Sequence, residues 1–91
     1  MRVFITGGAG FVGCNLAAHH LSLGNHVTLF DNLSRPRTAH NLAWLKKLAQ
    51  TQTGVLQTYV GDIRREDELR EALTLAQPDL IVHLAAQVAV T

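Results

Sequence analysis

Apolar and polar residues are arranged along the chain in blocks. Val3-Phe4-Ile5 is a short, β-prone apolar run that leads directly into glycines, the pattern of a buried strand. From Phe11, the apolar positions Phe11, Val12, Leu16, Ala17, Leu21 and Leu23 trace a broad helical face, and Gly24 follows as a stop. His26 to Phe30 reads as a second strand closed by Asp31-Asn32. The stretch "DNLSRPRTAHN" is loop chemistry, with Pro36 disfavouring helix just before it. Leu42, Trp44, Leu45 and Leu48 predict a short amphipathic helix, and Val55 to Val60 a third strand ending at Gly61-Asp62. Glu66 to Ala76 reads as a helix with Leu69, Ala72, Leu73 and Ala76 on one side. Gln77-Pro78-Asp79 stops it, and Leu80 to Ala85 forms a fourth strand.

Strands alternating with helices of crossover length imply parallel strands joined by right-handed crossovers. Because the strands are continuous apolar runs, both sheet faces are expected to be covered. The predicted fold class is α/β, a Rossmann-type doubly wound parallel sheet with four strands in the order 3-2-1-4. Such a fold uses six strands, so the fourth is normally interior. "HLAAQVAVT" after it shows no lysine, proline or charge to protect an open edge. The expectation is therefore an incomplete sheet: residues 1–91 as the N-terminal part of a dinucleotide-binding domain, with catalytic and substrate-binding parts absent. Self-association through the open edge is a corollary.

Composition narrows the functions open to the chain. A length of 91 residues suits one domain with a modest core. A net charge of +1, with no long run of like charge, gives no footprint for nucleic acid or an anionic membrane. Cys14 is the single cysteine, so an intrachain disulfide is excluded and a cytoplasmic location is expected. Cys14 falls in the first turn of a predicted helix, yet a buried small apolar residue is the expected reading. The glycines break the N-terminal apolar run too early for a signal core, and no apolar stretch approaches the roughly 20 residues of a membrane span. Adjacent His19 and His20 point in different directions on a helix, unlike the paired spacing of a zinc helix, so no metal site is expected.

Gly8 to Gly13, "GAGFVG", fits G-x-G-x-x-G. A strand precedes it, a helix follows, and an acid stands about 20 residues on at Asp31, which is the full dinucleotide-binding context. Gly7 and Gly8 permit the tight strand-to-helix turn. Gly10 lets a pyrophosphate approach the backbone, and Gly13 lets the helix pack closely on the strands. Phe11 and Val12 offer helix-start N–H groups without intrahelical partners, to which the helix dipole draws an anion. A mononucleotide P-loop is excluded, because Cys14-Asn15 stands where Lys-Ser/Thr is required. Asp31 ends a strand where a carboxylate can accept from both ribose hydroxyls, which favours NAD over NADP, although Arg35 four residues on could in principle hold a 2′-phosphate. The other reading of Asp31 is a loop-capping residue.

These motifs resemble the extended short-chain dehydrogenase/reductase proteins, in their NAD-dependent epimerase/dehydratase branch. "TGGAGFVG" (Thr6 to Gly13), "DNLSR" (Asp31 to Arg35), "GDIRR" (Gly61 to Arg65) and "HLAA" (His83 to Ala86) match the segments that follow the four strands in that family. The stretches around "FDNLSRPRTAHNLAWL" and "HLAAQVAVT" are most similar to its CDP-paratose 2-epimerase group. The resemblance implies NAD as cofactor and a nucleotide-sugar substrate for a full-length protein. It implies that Gly7, Gly10, Phe11, Val12 and Gly13 hold the pyrophosphate. It further places Asp31, Asn32, Ser34 and Arg35 at the adenosine ribose, and Asp62 and Ile63 at the adenine. Leu84, Ala85 and Ala86 would run along the ribose and nicotinamide. For Asp62 the alternative is a cap on the following helix, for Ser34 and Arg35 a solvated loop, and for Leu84, Ala85 and Ala86 ordinary packing at the end of a strand.

The family's Tyr-x-x-x-Lys pair is missing. Tyr59 is the only tyrosine and lies inside a strand, with Ile63 where the lysine would stand, so no catalytic residue is assigned. Three functions remain open: the cofactor-binding part of a nucleotide-sugar epimerase or dehydratase, inactive alone; a non-catalytic dinucleotide-binding or interaction module; or a truncated product without function.

Overall fold

A computed structural model describes residues 1–84. It contains seven elements: β1 (Arg2–Thr6), α1 (Phe11–Ser22), β2 (His26–Asp31), α2 (Thr38–Ala49), β3 (Val55–Val60), α3 (Glu66–Ala76) and β4 (Leu80–His83). The four strands form one parallel sheet in the order β3-β2-β1-β4, as the sequence predicts. The sequence predicts a fourth strand from Leu80 to Ala85. It is assigned to His83, Leu84 N–H continues its bonding to the Thr6 carbonyl at 3.1 Å, and Ala85 lies outside the described residues.

Because side chains alternate along a strand, the central strands feed two cores. Val3, Ile5, Val27 and Leu29 face α1 and α2 and pack with Cys14, Ala17, Leu21, Leu42 and Leu45. Phe4 and Phe30 face α3 and pack on Ala72 and Ala76, with Leu69 and Leu73 at the margin. That is the α3 face read from the sequence. Three acids in its first turn, Glu66, Asp67 and Glu68, suit the positive end of its dipole.

Three expectations need correction. Coverage of both faces holds for β1 and β2 but not for the outer strands: Val55, Val60 and Ile81 are each more than half exposed. Among the described residues, two helices on one face and one on the other cover the centre of a four-stranded sheet and leave the outer strands less covered. The buried stripe of α1 is Gly13, Cys14, Ala17 and Leu21, whereas Phe11, Val12 and Leu23 are exposed. The predicted positions Leu16, Ala17 and Leu21 do pack on the core, but close contact at Gly13 sets the rotation of the first turn, so Gly13 and Cys14 face the sheet there instead of Phe11 and Val12. In α2, Trp44 is 46% exposed, because the buried stripe runs through Thr38, Leu42 and Leu45. The helix also starts at Thr38, directly after Arg37 in a left-handed conformation (φ 70°).

Candidate functional site

Parallel strands bring their C-terminal ends to one edge of the sheet. In an open α/β sheet, ligands bind there, where the strand order reverses. Here that point lies between β1 and β4, and it is bridged by Thr6 Oγ1 and His83 Nδ1 at 2.7 Å.

The glycine loop leaves β1 at this point. Gly7 has φ 71°, in the left-handed region, and its N–H donates to the Phe30 carbonyl at 2.8 Å. Gly10 N–H donates back to the Gly7 carbonyl at 3.2 Å, closing the turn, and Gly10 becomes the N-cap of α1 with no side-chain hydrogen bond. The N–H groups of the first helical turn therefore have no side-chain acceptor, in keeping with an anion-binding end. A Cβ on Gly13 would stand 2.6 Å from both the Gly7 carbonyl oxygen and Gly8 Cα. Any side chain there would push α1 off the loop. Phe11 and Val12, 78% and 63% exposed, lie at the open side of the same turn.

Cys14 is buried in this turn, and its thiol donates to the Gly8 carbonyl at 3.2 Å. Burial, aided by the nearby Asp31 charge, pushes the thiol up to about 11. It is an inert packing group, as the sequence reading expects.

Asp31 ends β2 and is buried. Its Oδ2 accepts from Ala9 N–H at 3.1 Å and its Oδ1 from Leu33 N–H at 2.7 Å. The loop-capping reading of this residue therefore holds, and the same carboxylate also holds the glycine loop. Both oxygens already accept a backbone hydrogen bond, so fewer lone pairs are left for a ribose than the sequence suggests. Leu33 turns left-handed (φ 59°), and Asn32 Oδ1 accepts from Ser34 N–H at 3.0 Å and from Ser34 Oγ at 2.8 Å. This turn folds Arg35 back towards the glycines, where its Nη2 is 3.7 Å from Asp31 Oδ2.

Gly61 N–H donates to the Asp31 carbonyl at 3.1 Å, which sets the segment after β3 beside the segment after β2. Asp62 does not cap α3, whose N-cap is Arg65. Its carboxylate accepts from Arg64 N–H at 2.9 Å and pairs with the Arg64 guanidinium at 2.7 Å. Hydrogen bonds from the Arg64 side chain and backbone hold Asp62 at about 2, well below the usual carboxylate range. The Ile63 side chain packs beside the Phe4–Phe30 core. Leu84 packs at the margin of the other core; Ala85 and Ala86 lie outside the described residues. Tyr59 stacks on Phe30, ring centroids 5.5 Å apart, on the sheet face.

Two contributors escape the sequence reading. Asn41 Nδ2 on α2 donates to the Ala9 carbonyl at 3.0 Å, a second brace on the glycine loop. Its signal was a polar residue beside the buried stripe of Thr38, Leu42 and Leu45. Glu68 Oε1 accepts from Asp62 N–H at 2.9 Å, and only its helical position hints at that.

Comparison with known proteins accords with this geometry. The profile of the GDP-mannose 4,6 dehydratase family matches residues 4–91. A CDP-paratose 2-epimerase of Salmonella typhi is 44% identical over the whole chain, which spans 25% of that relative. Among solved structures, UDP-glucose 4-epimerase from Bifidobacterium longum, in complex with NAD+ and UDP, superposes with a TM-score of 0.75 at 28% identity. The superposition covers 93% of this chain and 24% of that one. The Bordetella bronchiseptica enzyme WbmG, in complex with NAD and UDP, gives 0.70 at 29% identity, covering 93% and 25%. The chain belongs to the GDP-mannose 4,6 dehydratase family, within the epimerase/dehydratase branch that its motifs resemble, and spans about a quarter of the length of these relatives.

Proposed function

We propose that the chain is the NAD-binding N-terminal portion of a nucleotide-sugar epimerase or dehydratase, and that residues 1–91 form part of a dinucleotide-binding domain. The observation that carries this reading is the loop from Thr6 to Gly13. It has a left-handed Gly7, a Gly13 pressed on the Gly7-Gly8 backbone, and an uncapped helix start at the C-terminal end of the central strand. In this reading the N–H groups of Phe11 and Val12 bind the pyrophosphate, while Gly7, Gly10 and Gly13 keep side chains out of its way. Asp31, Asn32, Ser34 and Arg35 line the adenosine ribose, and Asp62 and Ile63 the adenine. The family resemblance would assign Leu84, Ala85 and Ala86 to the ribose and nicotinamide. Asp31 also fixes the height of the loop through Ala9, and Asn41 holds it from the other side. NAD bound there supplies a hydride acceptor for oxidation at a sugar carbon.

The similarity to a CDP-paratose 2-epimerase supports 2-epimerisation of a CDP-sugar as the reaction of the complete protein. The family's Tyr-x-x-x-Lys pair has no counterpart in these 91 residues, so we propose that the chain alone does not turn over substrate. Among the described residues no helix is long and apolar enough to cross a membrane. Among the described residues nothing pairs with the outer edge of β4, and Ile81 is 54% exposed, which supports association through that edge. Calorimetric titration of the 91-residue chain with NAD tests the cofactor reading. Saturable binding is expected, and no heat at high micromolar NAD would contradict it.

A further inference from the structure

Arg35 stands in an unusual place for a cation. A Cβ built on Gly10 would lie 2.7 Å from Arg35 Nη2 and 3.4 Å from its Cζ, so the guanidinium rests directly over the glycine loop. The first turn of α1 carries no acidic residue, and a positive charge beside the positive end of a helix is unfavourable by itself. Asp31 is the nearby counter-charge, but at 3.7 Å the contact is longer than a charge-assisted hydrogen bond. The Asp31 oxygens already accept from Ala9 and Leu33 N–H. With its side chain 46% exposed, the guanidinium keeps donors that face water. A planar donor fork at a helix start, drawn there by a carboxylate it does not fully engage, suits two oxygens of a phosphate. The segment Gly7 to Asn15 contains no lysine or arginine of its own.

We infer that Arg35 binds a phosphate of the nucleoside diphosphate seated on the glycine loop and supplies the positive charge which that loop lacks. This rests on the cofactor reading above but moves Arg35 from the ribose, where the family resemblance puts it, to the phosphate. The guanidinium bridges the buried Asp31 carboxylate and the incoming anion, so strand β2 and helix α1 close on the ligand from two sides.

The test titrates the 91-residue chain, unsubstituted and as Arg35→Gln and Arg35→Lys, with ADP, NAD and NADP. Circular dichroism verifies the fold of each variant. Arg35→Gln is expected to weaken ADP and NAD to a similar extent, by about tenfold, the scale of one charge-assisted hydrogen-bonding group. Arg35→Lys is expected to recover part of that loss. Unchanged ADP and NAD affinity in Arg35→Gln would overturn the inference while leaving the cofactor reading intact. A loss confined to NADP would assign the residue to a 2′-phosphate and overturn it too. No recovery by lysine, with the fold verified, would support the planar two-oxygen contact over a point charge. Failure of the unsubstituted chain to bind any of the three would overturn both readings.

Discussion

The loops after β2 and β3 begin alike. In each, an aspartate accepts from the backbone N–H two residues on, Leu33 at 2.7 Å and Arg64 at 2.9 Å, and an arginine follows within four positions. Their reach differs. The Asp31 side chain is 6% exposed and spends its second oxygen on Ala9 in the glycine loop. That of Asp62 is 24% exposed and pairs with Arg64, itself 83% exposed, inside its own turn. One aspartate ties together two loops from different strands, whereas the other organises only itself. The same local motif is therefore structural glue in one place and a surface turn in the other, and burial decides which.

The comparison can be broken most severely at the loop that Asp31 holds. Gly13→Val would force side-chain atoms into the Gly7-Gly8 backbone and destabilise the chain by about 3 kcal/mol, read as a fall in the denaturation midpoint. Asp31→Ala comes next. It strips Ala9 and Leu33 N–H of a buried acceptor and should cost about 2 kcal/mol, with faster amide exchange at both residues. Asp62→Ala should shift the midpoint far less, because it removes a partly solvated ion pair. An equal effect of the two alanine substitutions would erase the distinction between the loops.

Two pH effects sharpen it further. The Cys14 thiol is held up to about 11 against an ordinary 9.0, so its neutral form favours the fold. Its contribution is complete below about pH 9 and is lost as pH rises towards 11. Alkylation of the native chain at neutral pH should be slow and should accelerate on unfolding. Asp62 is held at about 2 against 3.8, so its charged form favours the fold. That contribution is complete above pH 3.8 and fades as pH falls towards 2; solvent exposure and salt make it the smallest effect of the set.

Much of this was legible in the sequence. Alternating apolar runs and helical stripes gave seven elements and the strand order, and the glycine spacing with Asp31 marked the loop that the geometry singles out. Contacts between distant segments were not legible. Asn41 reaches Ala9 across 32 positions, and Arg35 returns to Gly10 after a turn in which Leu33 is left-handed. The middle of the α1 face, Leu16, Ala17 and Leu21, was legible, but its first turn was not, for a physical reason. Large apolar residues signal burial on average, but here close backbone approach at Gly13 buries small ones and leaves Phe11 and Val12 at the open edge of the loop.

The central claim is that the loop from Thr6 to Gly13, braced by Asp31, is where a dinucleotide sits. The most direct measurement is the backbone amide NMR spectrum of the isotope-labelled chain during titration with NAD. The account predicts saturable shifts concentrated at Gly7 to Gly13 and Asp31 to Arg35, while the amides at the opposite sheet edge, around Arg2, Asn25 and Asp79, stay in place. A spectrum that does not change, or changes only at that opposite edge, would contradict it.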